Sequence, residues 1–363
     1  MIRDPFPVSA HKVVDYEPTI AELRRVMLSV SRHRSSTGVR MTVNATQSSV
    51  DSDTEATLVG AVQRLVRGGW DEVESSLVTY GDPIDVDGTQ STVRCHFLRS
   101  DPLGNPRLKT LAQQLANQIV NYCIPRTELE KIRSLPLDRQ VPEITRLAND
   151  AARLFTQTQV KTGEGAELLL YALLEKGLQI PQVLSKMSLK TSTEMQYHGA
   201  DGVHAKLLDN GDLAIYWGEA KLYESVSQAM TDCMDSIEPY LTGIAHEQDV
   251  FLIRHYADTG NEEVTARLLE YFNDNSILSA NVEMRGACLI GFVHDNYPSL
   301  PRDEAAVKEQ IDEALSAWVK STKTRLVNRS LTKNNIEIFF FPMPSVQEFR
   351  QTVKGELRID GAS

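Results

Sequence analysis

The chain has 363 residues, of which 41% are hydrophobic, and its formal net charge is −11. That is apolar material for one large or two ordinary domains, so neither a wholly disordered chain nor a disulfide-stapled miniature is expected. An acidic chain does not coat nucleic acid indiscriminately, so any work on DNA needs a local basic patch or a partner's surface.

Residues 1–85 read as an N-terminal accessory region. Leu23–Arg34 is basic on one side, which reads as a solvated helix face. Residues 35–57 hold ten Ser or Thr, a linker composition. Leu58, Val62, Leu65 and Val66 mark a short amphipathic helix ended by Gly68-Gly69. Met1–Pro7 carries no apolar signal core, and no apolar run approaches the roughly 18 residues that span a bilayer. Cys95, Cys123, Cys233 and Cys288 form no CxxC pair, so a zinc ribbon is not expected and a reducing cytoplasm is.

Residues 86–160 read as a strand and then helices that pack on the rest. Leu108, Leu111, Leu115 and Ile119 keep helical spacing. Pro142 is placed in the first turn of a helix whose apolar stripe is Ile144, Leu147, Ala148, Ala151, Leu154 and Phe155. Residues 161–363 change character. A nearly all-apolar helix, Glu167–Leu178, precedes strand-like runs at Val183–Leu189, Ala200–Leu208, Leu213–Leu222, Val250–Tyr256, Gly286–Val293 and Ile336–Phe341. Val226, Met230, Cys233, Met234 and Ile237 mark one intervening helix; Val307, Ile311, Leu315 and Trp318 mark another. The class is α/β (α+β), a mixed central sheet flanked by helices.

The segment His198–Tyr223 carries the chemistry. Asp209-Asn210-Gly211 is a turn signal between two apolar runs. A three-residue loop with Gly211 left-handed pairs Leu208 with Asp212, so paired residue numbers sum to 420. One face then carries Leu207 with Leu213, Ala205 with Ile215, Val203 with Trp217, and next Asp201 with Glu219; Lys221 follows on that side. An apolar stripe thus runs into two acids and a lysine. Two adjacent carboxylates repel, and a divalent cation removes the conflict; oxygen-only ligands suit Mg²⁺ or Mn²⁺. A surface ion pair at a strand end is the plainer reading, and the stripe leading into the charges argues for a site. Glu164 and Glu167, three apart at a helix start, share a face; Glu167 abuts the apolar run and is the first choice for a third acid, Glu164 the second.

His204 faces away from Asp201, beside Tyr216, and reads as structural; His198 reads as a loop histidine. Phe339, Phe340 and Phe341 read as a buried strand. Lys320, Lys323, Arg325, Arg329 and Lys333 form a run without an acid between Glu313 and Glu337, either a DNA phosphate track or a solvated helix end. Lys186, Lys190 and Lys206 are placed across the same cleft. No phosphate-binding G-x-x-x-x-G-K-[ST] loop occurs, so ATP must be handled elsewhere.

These residues resemble the PD-(D/E)xK, restriction-endonuclease-like superfamily: an acid on a helix (Glu167), an aspartate opening one strand (Asp201), and ExK closing the next (Glu219, Lys221). Ala200-Asp201 stands where that family has Pro-Asp. "GEGAELLLYALL", "HGADGVH" and "GEAKLY" resemble the nuclease subunit of Hachiman anti-phage defence systems (the HamA family) over residues 90–350. The resemblance implies a restriction-endonuclease-like core and a Mg²⁺-dependent DNA nuclease, with Ala220 joining Asp201, Glu219 and Glu167, or Glu164 in place of Glu167, as metal ligands. It implies a helicase partner (HamB-like), DNA as substrate, no membrane, and activity held back until triggered. It leaves residues 1–85 unexplained. Two other readings stay open: a catalytically silent scaffold that binds a helicase, and a nuclease acting on RNA.

Overall fold

The computed structural model describes residues 58–67, 71–156, 163–184, 200–243, 246–294 and 304–357. The Ser/Thr-rich stretch 35–57, the basic stretch Leu23–Arg34, Gly68-Gly69, Lys186, Lys190 and His198 lie outside the described residues, as do the side chains of Leu154, Phe155, Glu164 and Val307.

In chain order come helix α1 (58–63), α2 (Asp71–Glu74), strands β1 (Leu77–Asp85) and β2 (Thr92–Leu98), and helices α3 (Leu108–Ala116), α4 (Ile119–Cys123), α5 (Arg126–Arg133), α6 (Leu137–Thr156) and α7 (Glu164–Ala172). Strands β3 (Gln182–Leu184), β4 (Gly202–Leu207) and β5 (Leu213–Tyr223) follow, then helices α8 (Val226–Leu241), α9 (His246–Tyr256) and α10 (Glu262–Glu270). Strand β6 (Val282–Val293), helix α11 (Glu304–Asn328), strand β7 (Ile336–Met343) and helix α12 (Val346–Leu357) complete the order.

The strands form one seven-stranded mixed sheet in the order β1-β2-β7-β6-β5-β4-β3. Its middle, β2-β7-β6-β5, is parallel; both margins are antiparallel. A parallel sheet is covered on both faces, which is why β6 and β7 read as unbroken apolar runs rather than alternating ones. Ala214, Tyr216, Ala220 and Leu222 of β5 point into a core closed by α3, α4, α7 and α12. Ile215 and Trp217 point to the opposite face, where α1, α9 and α10 cover the β3–β5 side. On that same face, α8 and α11 cover the β6–β7 side.

Three expectations change. Val250–Tyr256 is not a strand but part of α9: a short apolar run does not reveal its period, and here Leu252 and Ile253 are buried while Phe251 is 47% exposed. Pro142 lies inside α6 rather than in its first turn, because the helix already begins at Leu137; Ile144 is correspondingly exposed. Residues 58–67 and 77–85 are not accessory to the fold, since β1 is the margin of the central sheet and Leu58, Val62 and Leu65 pack into its core. A buried ion pair, Arg126–Glu175, fastens that segment: Arg126 also donates to the Leu65 carbonyl, and Glu175 accepts the Arg67 N–H at 2.8 Å.

Candidate active site

The β4–β5 ribbon has the register read from the sequence: Leu207 pairs with Leu213, Ala205 with Ile215, Val203 with Trp217 and Gly202 with Gly218. Gly211 has φ +82°, a conformation that glycine adopts without steric cost, and Leu208 donates to Asp212 O at 2.8 Å. The regular pairing stops at Gly202. Asp201 bends there, its N–H donating to Gly218 O at 2.8 Å and its carboxylate Oδ2 accepting the Ala220 N–H at 2.9 Å. Asp201 therefore reaches the peptide lying between Glu219 and Lys221. An extended residue turns its N–H and C=O to the same edge, so the Ala220 carbonyl also faces the place where β4 has ended.

Glu219 and Lys221 share the face of β5 that looks toward α8. Lys221 Nζ lies 2.5 Å from Glu219 Oε1, with side chains 25% and 9% exposed. The Cys233 thiol of α8 donates to the Glu219 carbonyl at 3.3 Å. Burial works against the Lys221 charge, but the Glu219 and Asp201 carboxylates outweigh it, and its pKa is pushed up to about 12. At neutral pH Lys221 is an ammonium.

The third acid comes from the other side of the sheet. Helix α7 approaches β5 closely at Gly218, where an added Cβ would stand 3.2 Å from Leu170. Glu167, one turn earlier than Leu170, accepts from the Tyr122 hydroxyl at 3.0 Å. That hydroxyl also lies 2.6 Å from the main-chain oxygen of Asp201. Burial, then the Glu167 and Asp201 charges, hold the Tyr122 phenol well above its ordinary range, so it stays protonated. Sequence reading missed Tyr122, which sits on a five-residue helix with no motif around it. Glu164 is the first residue of α7.

The candidate donors are all oxygens, the set that Mg²⁺ or Mn²⁺ takes. Asp201, Ala220, Glu219 and Lys221 gather at the ribbon's end, and Glu167 joins them through Tyr122. Among the described residues no three His, Cys, Asp or Glu side chains close into a cage.

The basic run is largely committed elsewhere. Arg325 donates to the Ser227 carbonyl at 3.1 Å and to the Thr231 hydroxyl at 3.2 Å, both on α8. Arg329 pairs with Asp235 at 2.5 Å, also on α8, and Lys323 pairs with Asp87 at 2.7 Å. Lys320 lies on the same helix α11 and Lys333 in the turn before β7; Lys206 is in β4. His204 is buried and its Nδ1 bonds the Ile180 carbonyl at 2.8 Å; Phe339, Phe340 and Phe341 are buried in β7.

No described helix is long and apolar enough to cross a membrane. None of the curated proteins matches the chain. Residues 73–357, from just before β1 to the end of α12, match the HamA family as a whole. With most of its length and its whole central sheet inside that match, the chain belongs to the HamA family of Hachiman defence proteins.

Proposed function

We propose that the chain is a Mg²⁺-dependent DNA nuclease of the PD-(D/E)xK type, the effector of a Hachiman complex with a HamB-like helicase. The observation that carries this reading is the convergence of Asp201 on the peptide between Glu219 and Lys221. Asp201, Glu219 and the Ala220 main chain, with Glu167 or else Glu164 on the flanking helix, would hold a divalent cation, which would supply an activated water and neutralise charge on the scissile phosphate. Asp201 keeps its place through the Ala220 N–H. Lys221 carries a fixed positive charge to the phosphate, releasing Glu219 from their ion pair as substrate enters.

The test is cleavage of plasmid and linear DNA with and without Mg²⁺, comparing wild type with Asp201→Ala, Glu219→Ala and Lys221→Ala. Loss of cleavage in all three is expected; variants that cut as well as wild type would sink the assignment. RNA substrates run alongside decide the nucleic acid. A silent scaffold predicts a tight helicase complex in which Lys221→Ala changes nothing. The net charge of −11 supports weak intrinsic DNA affinity and a resting complex that spares host DNA. Robust degradation by the untriggered complex would contradict that control.

A further inference from the structure

The Tyr122 hydroxyl touches both parts of the candidate site, and nothing in the proposed chemistry requires it. Its two oxygen neighbours lie on different elements: Glu167 Oε2 on helix α7 at 3.0 Å, and Asp201 O at the start of β4 at 2.6 Å. A phenol offers one proton, and a carbonyl and an ionised carboxylate both accept, so the hydroxyl can serve either oxygen in turn. The ring has little freedom to follow any other geometry. Tyr122 is 1% exposed, flanked on α4 by buried Ile119 and Cys123, and its ring meets that of Tyr171 edge-on at 5.3 Å between centroids.

The bonds of Asp201 include its N–H to Gly218 O, its carboxylate to the Ala220 N–H, and its carbonyl to Tyr122. The first two bonds come from the ribbon itself. The third comes from a helix, and it acts where the regular pairing of β4 with β5 has ended. Moving the Asp201 carbonyl rotates the peptide that aims its carboxylate.

We propose that Tyr122 is a positioning residue of this site, its hydroxyl fixing the helix-borne Glu167 relative to the strand-borne Asp201 so that both acids address one cation. The inference rests on the metal-site reading above and deepens it. Groups that orient ligands without touching the metal typically change metal affinity by roughly 10–100-fold when lost.

The experiment measures Mn²⁺ binding by calorimetry on the full chain, together with thermal midpoints and the Mg²⁺ dependence of DNA cleavage. Tyr122→Phe keeps the ring and removes the hydroxyl. Expected is a loss of Mn²⁺ affinity of roughly ten-fold, with most cleavage regained at saturating metal. Tyr171→Phe is the packing control, because that neighbouring hydroxyl is buried without a hydrogen-bond partner among the described residues; it should bind Mn²⁺ as wild type does. Tyr122→Phe with wild-type Mn²⁺ affinity would overturn the inference, whatever its melting temperature. So would an equal loss in Tyr171→Phe. Should Asp201→Ala lose Mn²⁺ while Tyr122→Phe retains it, the metal site stands and Tyr122 has no part in it. Wild type that neither binds Mn²⁺ nor cuts DNA removes both readings together.

Discussion

The carboxylate of Asp201 accepts the main-chain N–H of Ala220 at 2.9 Å, so one side chain both closes the end of the β-ribbon and belongs to the proposed chemistry. Substitution separates the two duties. Asp201→Asn keeps an amide oxygen that can accept from Ala220. Asp201→Ala leaves the N–H of a residue only 5% exposed without that acceptor, at about 1–3 kcal/mol. Both variants should lose Mg²⁺-dependent cleavage, and only the alanine should lower the urea midpoint. An active Asp201→Asn enzyme would take Asp201 out of the chemistry.

The Glu219–Lys221 pair should show strong coupling. Its side chains are 9% and 25% exposed, so solvent screens the pair only in part. Lys221→Met strands a nearly buried carboxylate and should cost about 1–3 kcal/mol. Adding Glu219→Gln removes the stranded charge, so the double variant should recover most of the loss. The measurement is a double-mutant cycle by chemical denaturation in the presence of a chelator. A coupling energy under about 0.5 kcal/mol would mark the pair as an ordinary surface contact.

Acid should loosen the fold through two histidines. Burial, then the nearby Arg94 charge, lowers the His96 pKa to about 4 from an ordinary 6.5. Burial lowers His204 to about 4 as well, with its Ile180 hydrogen bond opposing and Arg126 assisting. The unfolded chain takes up these protons near pH 6.5, and the folded chain not until about pH 4. The contribution to stability is therefore complete above pH 6.5 and declines as pH falls toward 4, by about 3 kcal/mol for each group. His204→Asn retains a donor for the Ile180 carbonyl and cannot titrate. Urea midpoints at pH 7 and pH 4.5 should differ less for this variant than for wild type; an unchanged difference would show that His204 does not drive the effect.

The ribbon was legible in the sequence because two local rules determine it. Asp209-Asn210-Gly211 sets the loop, and a period of two sets the faces; the observed pairs sum to 420 throughout β4. The rule fails one residue beyond its range. At Asp201 the chain bends, and its N–H goes to Gly218 instead of continuing the ladder. Tyr122 was not legible at all: its partner Asp201 is 79 residues away, and only tertiary packing brings them together. The partners of the basic run were not legible for a related reason. Between Glu313 and Glu337 the chain supplies no acid, but the fold supplies Asp87 and Asp235 from other elements. Local periodicity likewise could not distinguish α9 from a strand.

Those contacts give the basic run a testable division of labour. Arg325 and Arg329 hold α11 against α8, the helix that follows directly from β5. Arg325→Ala leaves the Ser227 carbonyl and the Thr231 hydroxyl without this donor, and Arg329→Ala unpairs Asp235. Each should cost about 1–2 kcal/mol and lower the melting temperature. Lys323→Ala should leave the melting temperature unchanged, since Lys323 is 42% and Asp87 93% exposed. DNA binding, followed by fluorescence anisotropy across a salt series, separates the roles further. Charge reversal at Lys320 and Lys333 together should weaken binding and reduce the salt slope by about two without moving the melting temperature, if these lysines contact phosphates. Arg325→Ala and Arg329→Ala proteins that melt like wild type yet bind DNA weakly would show that the arginines serve DNA and not the helix contact.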